Sequence, residues 1–348
     1  MTAPATPIES APVEPSERAT ERSVPRAGWM VIARKEFADH ILSARFFVLL
    51  LLLSVIAAVP LYLTADIIRS AASSASGGQA IFIALFWYTP PVPLVTTDQV
   101  LPSVAGFFGL VAPLLGLSFG FDAVNGERAQ GTLPRLLSQP IHRDDVINGK
   151  FAAGLSVIGL VIVAIVGLIA ALGILRLGVA PTAAELLRII VWVAITIVYV
   201  AMWLAFGMLL SVIVRRAATS ALIGFGIWFV VTFFGGLIIG VIGGFFAPLS
   251  GTAEEVLRNN SVQETLSRLQ PNILYSEASR ALLSPQVTDV STPATVGGYE
   301  QAAQRIPSLL SLDQSFILVW PQVVALVALT VACFAIAYVQ FMRQEVRA

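Results

Sequence analysis

Phe121-Asp122-Ala123-Val124-Asn125-Gly126-Glu127-Arg128-Ala129-Gln130-Gly131-Thr132-Leu133-Pro134-Arg135-Leu136-Leu137-Ser138-Gln139-Pro140-Ile141-His142-Arg143-Asp144-Asp145-Val146-Ile147-Asn148-Gly149-Lys150 is a polar island between two long apolar blocks. Thr132 can cap a short helix, and Pro134 is tolerated in its first turn, where an N–H would lack a partner anyway. Leu133, Leu136 and Leu137 fall at helical spacing, and Pro140 closes the element. Asp144 can cap the next helix, which carries Val146 into the following block. Gly131 and Gly149 offer turn freedom on either side. The expectation is a short helix across the ends of two membrane helices, presenting its leucines and Arg135 for docking. Glu127 and Arg128 either pair within the loop, pair with a partner, or anchor the helix end at the headgroups.

Outside the island, 57% of the chain is hydrophobic and 12% is charged, about half the charged share of an ordinary soluble domain. Six stretches reach the length needed to cross the hydrocarbon core: Phe46–Leu63, Leu101–Phe121, Phe151–Leu175, Ile189–Val214, Ala221–Phe246 and Phe316–Phe341. Ala80–Trp87 is too short for a seventh and runs into Pro90, Pro91 and Pro93. The fold class is therefore an all-α membrane protein with six transmembrane helices. Arg and Lys cluster before the first stretch, in the island, at Arg215-Arg216 and in the tail. That bias predicts a multi-pass plasma-membrane protein with both termini and the island cytoplasmic. A formal net charge of zero implies no nucleic-acid partner. Residues 1–45 hold no apolar segment of a cleaved signal peptide.

Residues 1–27 read as a disordered tail rich in Pro, Ala, Ser, Thr and Glu. Residues 28–45 read as an amphipathic helix, either lying in the inner interface among membrane lipids or packed on the next cytoplasmic loop. The block 46–246 holds the first five spans and the loop 122–150. In the fifth span, Gly236, Gly240 and Gly244 repeat at small-xxx-small spacing, which suits a subunit interface, a pathway helix or packing within the chain. Residues 247–315 read as an external helical segment, with capping boxes at Thr252/Glu255 and Ser261/Glu264. A further helix follows Pro271 and ends near Pro285, and 286–298 is a loop. Residues 316–348 carry the sixth span and tail.

Several chemistries lack their residues. The only Gly-Lys pair, Gly149-Lys150, is followed by Phe151 and preceded by Asp144 where a phosphate loop needs glycine, so no ATP site and no bound cofactor is expected on this chain. No ionisable residue lies midway in a span, which argues against an ion-driven carrier. Gly116-Leu117-Ser118-Phe119-Gly120 matches a hydrolase nucleophile pattern, but His40 and His142 both lie outside the spans, so helix packing explains it better. No metal constellation is visible, Cys333 is single, and His142 reads as solvated.

The run E-R-x-x-G-T-L-x-x-L-L-x-x-P-I-x-R-x-x-V-x-x-G-K over Glu127–Lys150 resembles the loop of ABC-2 type transporter permeases. More narrowly, it is similar to the subgroup that includes nitrous-oxide-reductase maturation and gliding-motility permeases. The resemblance implies a coupling helix that fits a groove on a separate nucleotide-binding ATPase subunit, which would carry ATP and Mg. It assigns Leu133, Leu136 and Leu137 to docking, Pro140 and Arg143 to shaping the exit, and Glu127 and Arg128 to a charged pair at the base of the second helix, with Gly131 and Thr132 completing the ATPase-docking segment. It further implies two permeases, identical or related, around one path. Two functions follow: an ATP-driven exporter, or a mechanical complex that moves an external partner without solute flux.

Overall fold

A bilayer offers no water to unpaired backbone groups, so apolar runs of this length must close their hydrogen bonds within helices. The computed structural model describes residues 28–74, 81–88, 102–131, 142–248, 252–284 and 311–344, without the side chains of 45, 64, 67, 70–74, 81 and 253. The tail 1–27, the loop 286–298, and Thr132, Leu133, Leu136, Leu137 and Pro140 lie outside the described residues.

The elements are helical throughout: α1 Gly28–Ile41, α2 Ala44–Ser74, α3 Ile81–Trp87, α4 Val104–Gly120, α5 Asn125–Ala129 and α6 Arg143–Leu177. There follow α7 Ala183–Ile213, α8 Ala217–Phe229, a π-helical turn Val230–Phe234, α9 Gly235–Phe246, α10 Ala253–Ser267, α11 Pro271–Leu283 and α12 Leu312–Arg343. Six helical segments among the described residues are long and apolar enough to cross a membrane, the fifth running from α8 through the π turn into α9.

The central helix is α7, which packs on α4, α6, α11 and α12. Its Trp192 and Tyr199 are fully buried. The closest approach is to α4. A Cβ on Gly116 would meet the Val200 carbonyl at 2.6 Å, and one on Gly120 would meet the Leu204 carbonyl at 2.7 Å. These two glycines are the ends of the apparent nucleophile motif. Ser118 Oγ donates to the Leu115 carbonyl at 2.9 Å. Packing explains the motif, as expected, although His40 reaches further than its position suggested and sets its ring edge-on to Phe119 at 5.1 Å. Gly116→Val or Gly120→Val is expected to cost about 1–3 kcal/mol or more by forcing α4 off α7. Thermal unfolding in detergent checks this, and an unchanged midpoint would refute the close packing.

At the end of the bundle opposite the island, α11 is sunk into the helices rather than laid over them. Leu274, Ala278 and Leu282 are buried against the core. Burial pushes the Tyr275 hydroxyl up to about 12, so it stays protonated and shares a 3.2 Å hydrogen bond with Thr196. Its ring stacks on Tyr199 at 4.5 Å, and Trp192 Nε1 donates to Ser279 Oγ at 3.0 Å.

Several boundaries differ from expectation. The first helix stops at Ile41 and a turn at Leu42-Ser43 separates it from α2. It packs along the start of α6, with Ile32 buried and Phe37 and Ile41 against the core. Trp29, Met30 and Val31 remain exposed. The Thr252/Glu255 capping box forms, but Ser261 lies inside α10 and donates to the Arg258 carbonyl, so one helix replaces the two expected. Asp144 sits in the first turn of α6 behind the cap residue His142. The last helix starts at Leu312, earlier than residue 316.

Candidate functional site: the clamp around the polar island

Both ends of the island are gripped by side chains from five helices. Lys150, at the end of the island, has only 6% of its side chain exposed. Its Nζ lies 2.8 Å from Glu127 Oε1 and 3.1 Å from Glu36 Oε1. One ammonium thus joins α1, α5 and α6. Glu127 was expected to pair within the loop, to pair with a partner, or to anchor at headgroups. It pairs within the loop, with Lys150, because α6 brings that residue back against the exit of α4.

Arg128 points to the other side. Its Nη1 donates to the Val212 carbonyl at 3.3 Å and its Nη2 donates to Gln344 Oε1. Gln344 Nε2 donates to the same Val212 carbonyl at 2.8 Å, and Arg143 Nη1 donates to the Gln344 carbonyl at 2.9 Å. Arg128 and Arg143, on opposite sides of the loop, therefore meet on the residue that ends α12. Ser211 Oγ accepts from the Val124 and Asn125 N–H groups at 3.0 and 3.1 Å, which ties the turn after α4 to the end of α7.

The two glycines at the island's edges play different parts. Gly131 has φ +65° with open space beside it, so it supplies the turn freedom expected of it. Gly149 lies inside α6, where a Cβ would meet Ile32 and the Trp29 carbonyl at 2.8 Å. Its role is close approach of α1 and α6. Asp145 Oδ1 accepts the Trp29 N–H at 2.9 Å, capping the start of α1. The clamp thus collects Glu127, Arg128, Gly131 and Arg143 and adds Lys150, Glu36, Ser211 and Gln344. Only Lys150 carried a sequence signal: it is one of two lysines and stands directly before a span.

The fifth span supplies the second candidate surface. Only 6% of its apolar stretch is buried. Gly236, Gly240 and Gly244 face open space: a Cβ at any of the three would find no atom within 4 Å. They do no packing among the described residues. Gly235 and Gly243 do, against Gln270 and Gln263. Gln263 Nε2 also donates to the Ala247 carbonyl at 2.7 Å.

The family described as ABC-2 family transporter protein matches residues 30–346. A protein named probable ABC transporter permease protein NosY, from Stutzerimonas stutzeri, is 26% identical over 211 residues. That match covers 57% of this chain and 64% of the relative, so it spans somewhat under two thirds of the relative's length.

Proposed function

The chain belongs to the ABC-2 family of transporter proteins, and from that membership we propose that it is the permease subunit of an exporter driven by a separate nucleotide-binding ATPase. It is a multi-pass membrane subunit without an ATP site of its own, and ATP with Mg would be held by the partner. In this reading the island faces the cytoplasm, as do both termini. The leucines at 133, 136 and 137 meet the ATPase.

The observation that carries the reading is the clamp. Lys150 links one end of the loop to α1 and α5, and Gln344 links both ends to α7 and α12. A displacement of the loop would be passed to four long elements without slack, because buried charge pairs resist separation. The open glycine stripe at 236, 240 and 244 supports pairing with a second permease, identical or related.

The Leu136→Asp/Leu137→Asp double variant should insert normally and lose its co-purifying ATPase. A complex that survives this change unweakened would exclude docking through the loop. One observation favours a second reading, in which motion is delivered to a partner on the far side without solute. There α10 and α11 grip α9 through Gln263 and Gln270. Flux into vesicles measured beside ATP hydrolysis separates the two: hydrolysis with flux supports the exporter, and hydrolysis without flux supports the mechanical complex.

A further inference from the structure

We propose that the groove between α10, α11 and α12 binds the headgroup of a phosphatidylethanolamine from the leaflet on that side. The groove holds about 360 Å³ and is lined by Arg268, Leu269, Leu274, Leu318, Pro321 and Gln322, with Thr265 and Ala325 at its edges. Its chemistry is that of a zwitterion site beside an apolar wall.

Arg268 supplies the phosphate end. It bonds Glu277 through Nε alone, at 3.2 and 3.0 Å to the two carboxylate oxygens. The forked Nη1 and Nη2 groups remain available, and a phosphate accepts such a fork with two parallel bonds.

Gln322 supplies the ammonium end. It is 3% exposed, and its Nε2 donates to Glu277 Oε2 at 2.8 Å. The carboxylate fixes the amide's orientation, since only the nitrogen end can donate to it. Gln322 Oε1 is then a buried acceptor with no partner. Such a group calls for an N–H donor. Next to it Pro321 has no N–H, so the Ile317 carbonyl one turn back is left as a second acceptor.

Net charge selects among lipids. Arg268 and Glu277 neutralise each other, so a headgroup of net negative charge gains nothing overall. A trimethylammonium headgroup is zwitterionic but has no N–H to give to Gln322. A primary ammonium with a phosphate satisfies both ends. Depth agrees: Phe316 and Trp320 are exposed on the same helix just before the groove, at the level where aromatic side chains mark the membrane interface. The exposed Ile317 and Val324 offer an adjoining wall for the acyl chains.

The test uses the full chain in phosphatidylcholine nanodiscs with a diazirine-bearing phosphatidylethanolamine, and maps crosslinks by peptide mass spectrometry. Labelling is expected in 265–274 and 318–325. Unlabelled phosphatidylethanolamine should displace it roughly tenfold better than phosphatidylcholine or phosphatidylglycerol, a difference of ~1.4 kcal/mol. Ala325→Trp fills the groove while leaving Arg268, Glu277 and Gln322 unsubstituted, and should remove most of the label. Equal displacement by phosphatidylcholine would overturn the proposal. So would label spread evenly over the lipid-facing side of α2, or undiminished labelling of Ala325→Trp.

Discussion

Lys150→Met is expected to destabilise the protein by about 3–5 kcal/mol, the usual cost of removing one partner from a buried charge cluster. The side chains concerned are enclosed: 6% exposed for Lys150, 15% for Glu36 and 18% for Glu127. Without the ammonium, the carboxylates of Glu36 on α1 and Glu127 on α5 face each other, and the exposed Lys35, 3.9 Å from Glu36, is too solvated to replace it. The loss should appear as an early unfolding transition in detergent, with protease access to α1. Adding Glu36→Gln and Glu127→Gln should recover much of the stability, because no unpaired charge then remains buried. A Lys150→Met protein as stable as the parent would show that the ammonium does not hold the clamp. A triple variant no better than the single one would show that shape rather than charge was lost. In the proposed exporter, the recovered triple variant would still hydrolyse more ATP per substrate moved, since α1 is no longer tied to the loop.

Glu185→Ala should be the other severe change. Glu185 is 6% exposed and serves two helices at once. Its Oε2 accepts the Thr182 N–H at 2.8 Å and the Thr182 hydroxyl at 2.9 Å, closing the capping box that starts α7. Its Oε1 accepts the Phe82 N–H at 2.9 Å and the Ile83 N–H at 3.4 Å, which caps α3. Alanine leaves the buried Phe82 and Ile83 N–H groups without an acceptor, while the donors of the exposed Thr182 can turn to water. At about 1–3 kcal/mol for each stranded buried donor, a loss on the order of 3–4 kcal/mol is expected after local relaxation. Thr182→Ala removes only the α7 cap and should cost about 1 kcal/mol. Hydrogen exchange distinguishes them: Glu185→Ala should release amides in both 82–86 and 183–186, Thr182→Ala only in the second. Equal protection of α3 in both variants would refute the double role.

The sequence announced what is local and stayed silent on what is distant. Six apolar runs, the glycine at 131 and the Thr252 cap each need only neighbours a few residues away, and each formed. The clamp needs partners far apart in the chain. Glu36 and Lys150 both stood in plain view, but nothing in their surroundings said that α1 would fold back along α6. The explanation lies in Gly149, whose bare backbone lets Ile32 and Trp29 settle against it. A glycine before a span reads equally well as a turn, and that reading was the wrong one here. Glu185 was hidden for the same reason. Its capping box with Thr182 is a three-residue pattern, whereas its hold on α3 spans more than a hundred residues. Asp144 and Asp145 show the limit most closely. Asp144 could cap the helix that follows, whereas the structure puts His142 at the cap position and uses the neighbouring Asp145 at the start of α1.

The fifth span rests almost wholly on surroundings other than its own chain. For a water-soluble protein that would be an unfinished core. In a bilayer it carries no such penalty, because lipid tails are as apolar as leucine. A newly made copy can therefore reach its final shape alone and wait. Stoichiometry would then be set by encounter within the membrane rather than by synthesis. A surplus of this polypeptide should accumulate as folded, unpaired molecules, not as inclusion bodies or degradation products.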